Sequence, residues 1–169
     1  FALKTVIEAS EILMQYYQDG FRSETKEDGS PVTNADIASS KHIRKRLETT
    51  DIPVVDEESE QLDYEFRSKW HRNWCVDPLD GTKEFIKRNG EFAVNIALIE
   101  NHVPIFGIIA SPVNQEIIVG GKGLGVCQFN FDQLENSDSW TRVNPLSLKS
   151  EAVTMITSRS HLSENTMTF

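Results

Sequence analysis

Residues 73–82 read NWCVDPLDGT: an apolar run, two aspartates separated by Pro78 and Leu79, then a glycine and a threonine. What the chain does after Val76 decides the fold. Proline fixes φ and carries no N–H. DPLDG therefore reads in one of two ways. It is a type I turn with Pro78 at its second position and Asp80 capping the next helix. Or it is a stiffened segment that aims Asp77 and Asp80 at a common point and leaves the Leu79 carbonyl free as a third oxygen.

Working outward, IPVV (52–55) is a second short buried strand, and it runs into Asp56, Glu57 and Glu58. Downstream, TKEFIK (82–87) reads as a helix whose first N–H groups and positive dipole end face the same place. Gly81 lets the backbone come close to a ligand. Further upstream, Thr33-Asn-Ala-Asp36 matches a helix capping box.

Each motif has a plain structural reading: a cap, a solvated acidic loop, a turn. Together they carry more. Neighbouring strands of one sheet end side by side, so carboxylates collect there. Two unpaired carboxylates ~4 Å apart repel by about 4 kcal/mol at an effective dielectric near 20, so the group must take up protons or a cation. With only oxygen donors in the three motifs, the cation is a hard one: Mg²⁺, with Mn²⁺ or Ca²⁺ as substitutes. Cations beside an anion-binding helix end suit hydrolysis of a phosphate monoester.

The remainder supplies the scaffold. Residues 2–18 read as an amphipathic helix on Leu3, Val6, Ile7, Leu13, Met14 and Tyr17, stopped at Asp19-Gly20. FRSETKEDGSP is a polar loop, and residues 33–47 form a second helix with Ile37, Ile43 and Leu47 as its apolar stripe. From Phe92 the period changes to two. Strands at 92–98, IFGIIAS, EIIVGG and GVCQFNF form an antiparallel meander. Residues 132–152 read as loop, VTMITS as one more strand, and Ser163 as a helix start. The expected division is an N-terminal α+β domain that binds metal and phosphate over 1–152, and over 153–169 the opening of a second, nucleoside-binding domain that is mostly absent.

The 169 residues are 38% apolar, enough for one compact domain with a core. With 26 acidic against 17 basic residues the net charge is -9. That excludes a nonspecific binder of nucleic acid polymers, which needs a broad basic face. No apolar run approaches the ~20 residues of a transmembrane segment. Cys75 and Cys127 lie in strand-like apolar runs, where free thiols pack as small hydrophobes. A disulfide between them is the alternative. A reducing, cytoplasmic compartment is expected.

The order strand, Glu-Glu, strand, DPLDGT, preceded by GSPVTNAD, resembles the lithium-sensitive, Mg²⁺-dependent phosphatase superfamily of inositol monophosphatases, fructose-1,6-bisphosphatases and 3'(2'),5'-bisphosphate nucleotidases. WCVDPLDGTKEFIKRNGEFAVNIALIE closely resembles the CysQ-type nucleotidases, with Lys83-Glu84-Phe85 where inositol monophosphatases carry Thr-Asn-Phe. The resemblance implies a layered αβαβα sugar-phosphatase fold with a large, mainly antiparallel sheet. It also implies removal of the 3'-phosphate of adenosine 3',5'-bisphosphate (PAP) to give AMP in sulfur assimilation, with PAPS as a second substrate.

By the same resemblance, Glu57, Asp77, the Leu79 carbonyl and Asp80 bind two or three Mg²⁺ ions, and Li⁺ and Ca²⁺ inhibit. Glu58 is a weaker candidate. Asp36, Glu57 and Thr82 orient and deprotonate the attacking water. The Gly81 and Thr82 amides receive the phosphate, with Lys83 beside them. Lys26 closes the site or is an ordinary solvated lysine. Ser158 and His161 contact the nucleoside, or belong to a helix-start turn with an exposed histidine. The enzyme is cytoplasmic, at most peripheral at the inner membrane.

A further ligating aspartate, in a Trp-Asp pair, belongs to the family's C-terminal domain. Here Trp70, Trp74 and Trp140 are followed by His71, Cys75 and Thr141, so full activity is expected of a longer protein. Alternatives are an inositol or sugar phosphatase, a noncatalytic metal or nucleotide-binding module, and a Ca²⁺-binding surface loop.

Overall fold

Two long helices lie against one face of a seven-stranded sheet. The computed structural model describes residues 1–60 and 62–145. The helices are α1 (Ala2–Asp19) and α2 (Asn34–Leu47), and between them β1 (Ser23–Thr25) pairs antiparallel with β2 (Pro31–Thr33). The large sheet comprises β3 (Val54–Asp56), β4 (Arg72–Asp80), β5 (Ala93–Glu100), β6 (Val103–Ser111), β7 (Glu116–Gly121), β8 (Gly125–Asn130) and β9 (Thr141–Val143), in that spatial order. Among the described strands, only β3 runs parallel to its neighbour, β4. A short helix α3 (Tyr64–Arg67) lies on the connection between these two, and α4 (Thr82–Lys87) follows β4.

Alternation along the strands sorts the two faces. Val76, Ile96, Ile108 and Val119 are register partners in turn, and all four are buried. They meet Val6 and Leu13 of α1 and Ile43 and Leu47 of α2 in one core. The opposite face carries Val55, Cys75, Ala97, Gly107, Gly120 and Val126, again register partners in order. Ile109 and Ile118, which share that face, are 52% and 39% exposed.

The sheet, the meander and both long helices agree with the sequence-based expectations, as does the mixed α+β class. Five details differ. Ile37 is 50% exposed and is not part of the buried stripe of α2. That stripe is Ala35, Asp36, Ser39, Ser40, Ile43 and Leu47, whose small members let the helix lie close enough for Ser39 Oγ to donate to the Pro78 carbonyl at 2.9 Å.

The polar segment after Phe21 is an antiparallel ribbon, not only a loop. β4 continues through DPLD instead of stopping at Val76. Inside the expected loop after residue 132, β9 pairs with β8. It is anchored by Trp140, which stacks on Phe129 with centroids 4.0 Å apart.

Cys75 is exposed rather than packed. The cysteines are both free. Cys127 is the register partner of Val119 on the helix-covered face, and Cys75 is on the other, so the sheet itself separates them. The expected strand VTMITS, the helix start at Ser163 and the second domain lie outside the described residues. Among the described residues, no helix is long and apolar enough to cross a membrane.

Candidate active site

In an unbroken strand, residues 77 and 80 point to opposite faces, because their separation is odd. Here Asp77 pairs with Asn95 and Asp80 with Ala93, so the register slips by one residue between them. This is a β-bulge. It accommodates Pro78, which has no N–H to give a ladder, and it turns Asp77 and Asp80 to the same, open face. Leu79 is buried at 3% exposure. The turn reading of DPLDG is therefore replaced by a bulged strand. Asp80 does not cap α4 either: the N-cap is Gly81, without a side-chain cap bond.

The parallel partner β3 adds the next carboxylate. Asp56 is fully buried on the helix side and accepts a hydrogen bond from the Ser40 hydroxyl. Its Oδ1 also accepts from the Glu58 N–H at 3.1 Å. With Asp56 held inward, Glu57 projects outward beside β4, its N–H donating to the Val76 carbonyl at 3.2 Å. Glu57, Asp77, Leu79, Asp80, Gly81, Thr82 and Lys83 all line one open cavity of about 640 Å³.

Asp36 is fully buried behind this cavity and is joined to it through Thr82. The capping box is present, with one Asp36 oxygen accepting from the Thr33 N–H at 2.9 Å and from the Thr33 hydroxyl. Its other oxygen accepts from the Thr82 hydroxyl at 2.9 Å. The structural and the functional readings of this residue thus coexist, one on each oxygen. Thr82 Oγ1 is also 3.3 Å from the Leu79 carbonyl.

Gly81 has φ +95, and a Cβ there would sit 2.9 Å from the Glu91 carbonyl oxygen. Only glycine fits. α4 has six residues, about one and a half turns, so what it offers an anion is first-turn N–H groups rather than a long dipole. Phe85 fixes it in place, with ring centroids 4.9 Å from Phe92 and from Phe21.

Lys26 is neither remote nor an ordinary solvated lysine. Its Nζ lies 2.8 Å from Glu58 and 3.7 Å from Glu57. Glu58, with a side chain 6% exposed, is an internal partner of this lysine rather than a second solvent-facing acid. Burial holds its carboxyl above the usual carboxylate range, against the opposing pull of Lys26.

Asp77 carries the largest consequence of the crowding. Burial, followed by the charges of Glu57 and Asp80, pushes its carboxyl up to about 7. Among the described residues, no three His, Cys, Asp or Glu side chains are grouped closely enough to hold a metal ion as they stand. The donor set nevertheless fits a hard cation: carboxylate and carbonyl oxygens around one cavity with an excess of negative charge, and in the adjoining cavity, which Glu57 and Asp77 also line, a buried Asn95 Oδ1 with no hydrogen-bond partner. Ser158 and His161 lie outside the described residues.

Three residues of the site escaped the sequence reading. Ser39 and Ser40 pin the strand ends to α2, and Asn95 donates to Asp80 at 2.9 Å. The signal for Asn95 was present, as the one strongly polar side chain in AVNIALI. The serines gave none beyond their small size.

Known proteins place this geometry. A curated 3'(2'),5'-bisphosphate nucleotidase CysQ of Salmonella typhimurium is 49% identical over 119 residues, 68% of this chain and 48% of that protein. The crystal structure of CysQ from Bacteroides thetaiotaomicron, described as a bacterial member of the inositol monophosphatase family, superposes with a TM-score of 0.77 at 37% identity. It matches 99% of this chain and 64% of its own. The extragenic suppressor protein suhB of Bartonella henselae superposes at 0.67 with 28% identity, over 76% of this chain and 50% of its own. The chain thus spans about half the length of the curated relatives it matches. The inositol monophosphatase family profile matches residues 1–168, and with the bulged strand carrying its acidic residues into one cavity, the chain belongs to the inositol monophosphatase family.

Proposed function

We propose that this chain forms the metal- and phosphate-binding part of a Mg²⁺-dependent 3'(2'),5'-bisphosphate nucleotidase that removes the 3'-phosphate of PAP to give AMP, with PAPS as a second substrate. The observation that carries the reading is the bulge at Pro78-Leu79. It sets Asp77 and Asp80 on one face beside Glu57, with Thr82 Oγ1 held by Asp36 at their side. The CysQ relatives and the Lys83-Glu84-Phe85 sequence support the nucleotide subtype.

Glu57, Asp77, Asp80 and the Leu79 carbonyl would hold the cation. What a bound hard cation supplies is polarisation of the phosphoryl oxygens and neutralisation of charge on the departing oxygen. The chain's own residues do the rest. The Gly81 and Thr82 amides, reached closely because residue 81 has no side chain, receive the phosphate oxygens.

Thr82 Oγ1 already gives its hydrogen to Asp36, so its lone pairs face the cavity and orient water with Glu57. As the water oxygen bonds to phosphorus and the P–O3' bond breaks, one water proton passes to Thr82 Oγ1 and the threonine hydrogen moves to Asp36. The leaving 3' oxygen takes its proton from solvent. Lys83 adds positive charge at the rim.

Phosphate release by the full-length protein tests this, with PAP, PAPS and inositol 1-phosphate as substrates across a Mg²⁺ titration. Mg²⁺-dependent release with PAP preferred is expected. Equal use of inositol 1-phosphate refutes the subtype, and no release at any Mg²⁺ concentration refutes the phosphatase.

A further inference from the structure

We propose that Asn95 is a positioning residue of the cation site, holding Asp80 in its ligating pose and keeping a fixed acceptor turned away from it. The inference rests on the site reading above and goes one residue further. Asn95 stands on β5 directly opposite Asp77, and its Nδ2 donates to Asp80 Oδ2 at 2.9 Å. It therefore spans the bulge, in contact with the residues on both sides of it.

The orientation of the carboxamide is fixed by that bond, because a carboxylate oxygen accepts only from the nitrogen end. Oδ1 consequently points away from Asp80, and it is buried without a partner. A buried acceptor left empty is costly, and β5 is otherwise apolar from Ala93 to Ile99. Packing alone would be better served by valine or leucine. Asn95 lines the adjoining cavity, whose wall shares Glu57 and Asp77 with the site, and the arrangement makes sense when an O–H donor that enters beside Asp77 with the cation or the substrate completes Oδ1.

Other side chains fail one of the two tasks. An aspartate at 95 would place another carboxylate against Asp80 and Asp77. A serine is too short to reach across the bulge, and leucine neither donates nor accepts. Partners of this kind, which orient ligands without binding the metal, typically contribute about 10–100-fold to affinity.

The test is Mn²⁺ binding, followed by electron paramagnetic resonance, in the full-length protein and its Asn95→Ala and Asn95→Leu variants. Melting in EDTA serves as the measure of folding. The expected result is a weakening of Mn²⁺ affinity of about tenfold or more in each variant that melts like the parent in EDTA. The leucine variant fills the space left in the alanine one, so a packing defect is separated from loss of the carboxamide. If the unmodified protein binds Mn²⁺ and the folded variants match it within threefold, Asn95 has no positioning role and the site stands. If the unmodified protein binds no Mn²⁺, the site reading itself is overturned, and the role of Asn95 with it.

Discussion

Replacing Asp77 by asparagine should stabilise the metal-free protein while abolishing its chemistry. The carboxyl is lifted from 3.8 to about 7 by burial and by Glu57 and Asp80, which at full strength corresponds to about 4 kcal/mol of disfavoured charge. Asp77 remains partly open to water, and solvent screening reduces this to about 1–2 kcal/mol.

The sign follows from proton linkage. The folded carboxyl keeps its proton to higher pH than the unfolded chain does. The penalty is therefore absent below the unfolded value of 3.8, grows as pH rises, and is complete above about 7. Asparagine preserves the Oδ1 that accepts from the Leu79 N–H at 3.1 Å and removes the charge. In EDTA at pH 8, Asp77→Asn should melt about 2–8 °C above the parent, at about 2–4 °C per kcal/mol for a protein of this size.

At pH 4 the two should coincide. Saturating Mg²⁺ should raise the parent's melting temperature and leave the variant's nearly unchanged. Thermal unfolding followed by circular dichroism, with and without Mg²⁺, measures all of this. A variant no more stable than the parent in EDTA at pH 8, or a parent whose stability is flat from pH 4 to 8, would refute the reasoning.

Gly81→Ala places a Cβ 2.9 Å from the Glu91 carbonyl oxygen at φ +95, so it should cost about 1–3 kcal/mol, read from urea unfolding; an unchanged midpoint contradicts the close approach. Thr82→Val removes the hydrogen bond to Asp36 and should cost about 1 kcal/mol in stability and most of the turnover. Thr82→Ser should restore both, and a valine variant with parental kcat would exclude the threonine from proton movement. Mild oxidation followed by peptide mapping should find no Cys75–Cys127 crosslink, because the two project from opposite faces of the sheet; finding one would show the register to be wrong.

Elements governed by local patterning were legible in the sequence. The alternation of Val94, Ile96 and Leu98 marked β5, the heptad-like spacing of Val6 and Leu13 marked α1, and Thr33 with Asp36 marked the start of α2. What stayed hidden depends on pairing between distant strands. No local signal says that β4 slips by one residue against β5, yet that slip, rather than a turn, is what brings Asp77 and Asp80 to one face.

Ile37 was misplaced for a related reason. Hydrophobicity alone chose it, whereas the close approach of α2 to β4 selects small Ser39 and Ser40. The Asp36–Thr82 bond joins residues 46 apart in the chain and is invisible to any periodicity. Likewise the exposed Cys75 and buried Val76 differ only in which way the strand faces.

The cation site exists only if oxygen atoms from two strands and a bulge meet around one ion. Crystals of the full-length protein soaked in Mn²⁺, with data collected at the manganese absorption edge, test it directly. An anomalous peak within coordinating distance of Glu57, Asp77 and Asp80 is predicted. A peak elsewhere only, or none at millimolar Mn²⁺, would contradict the claim.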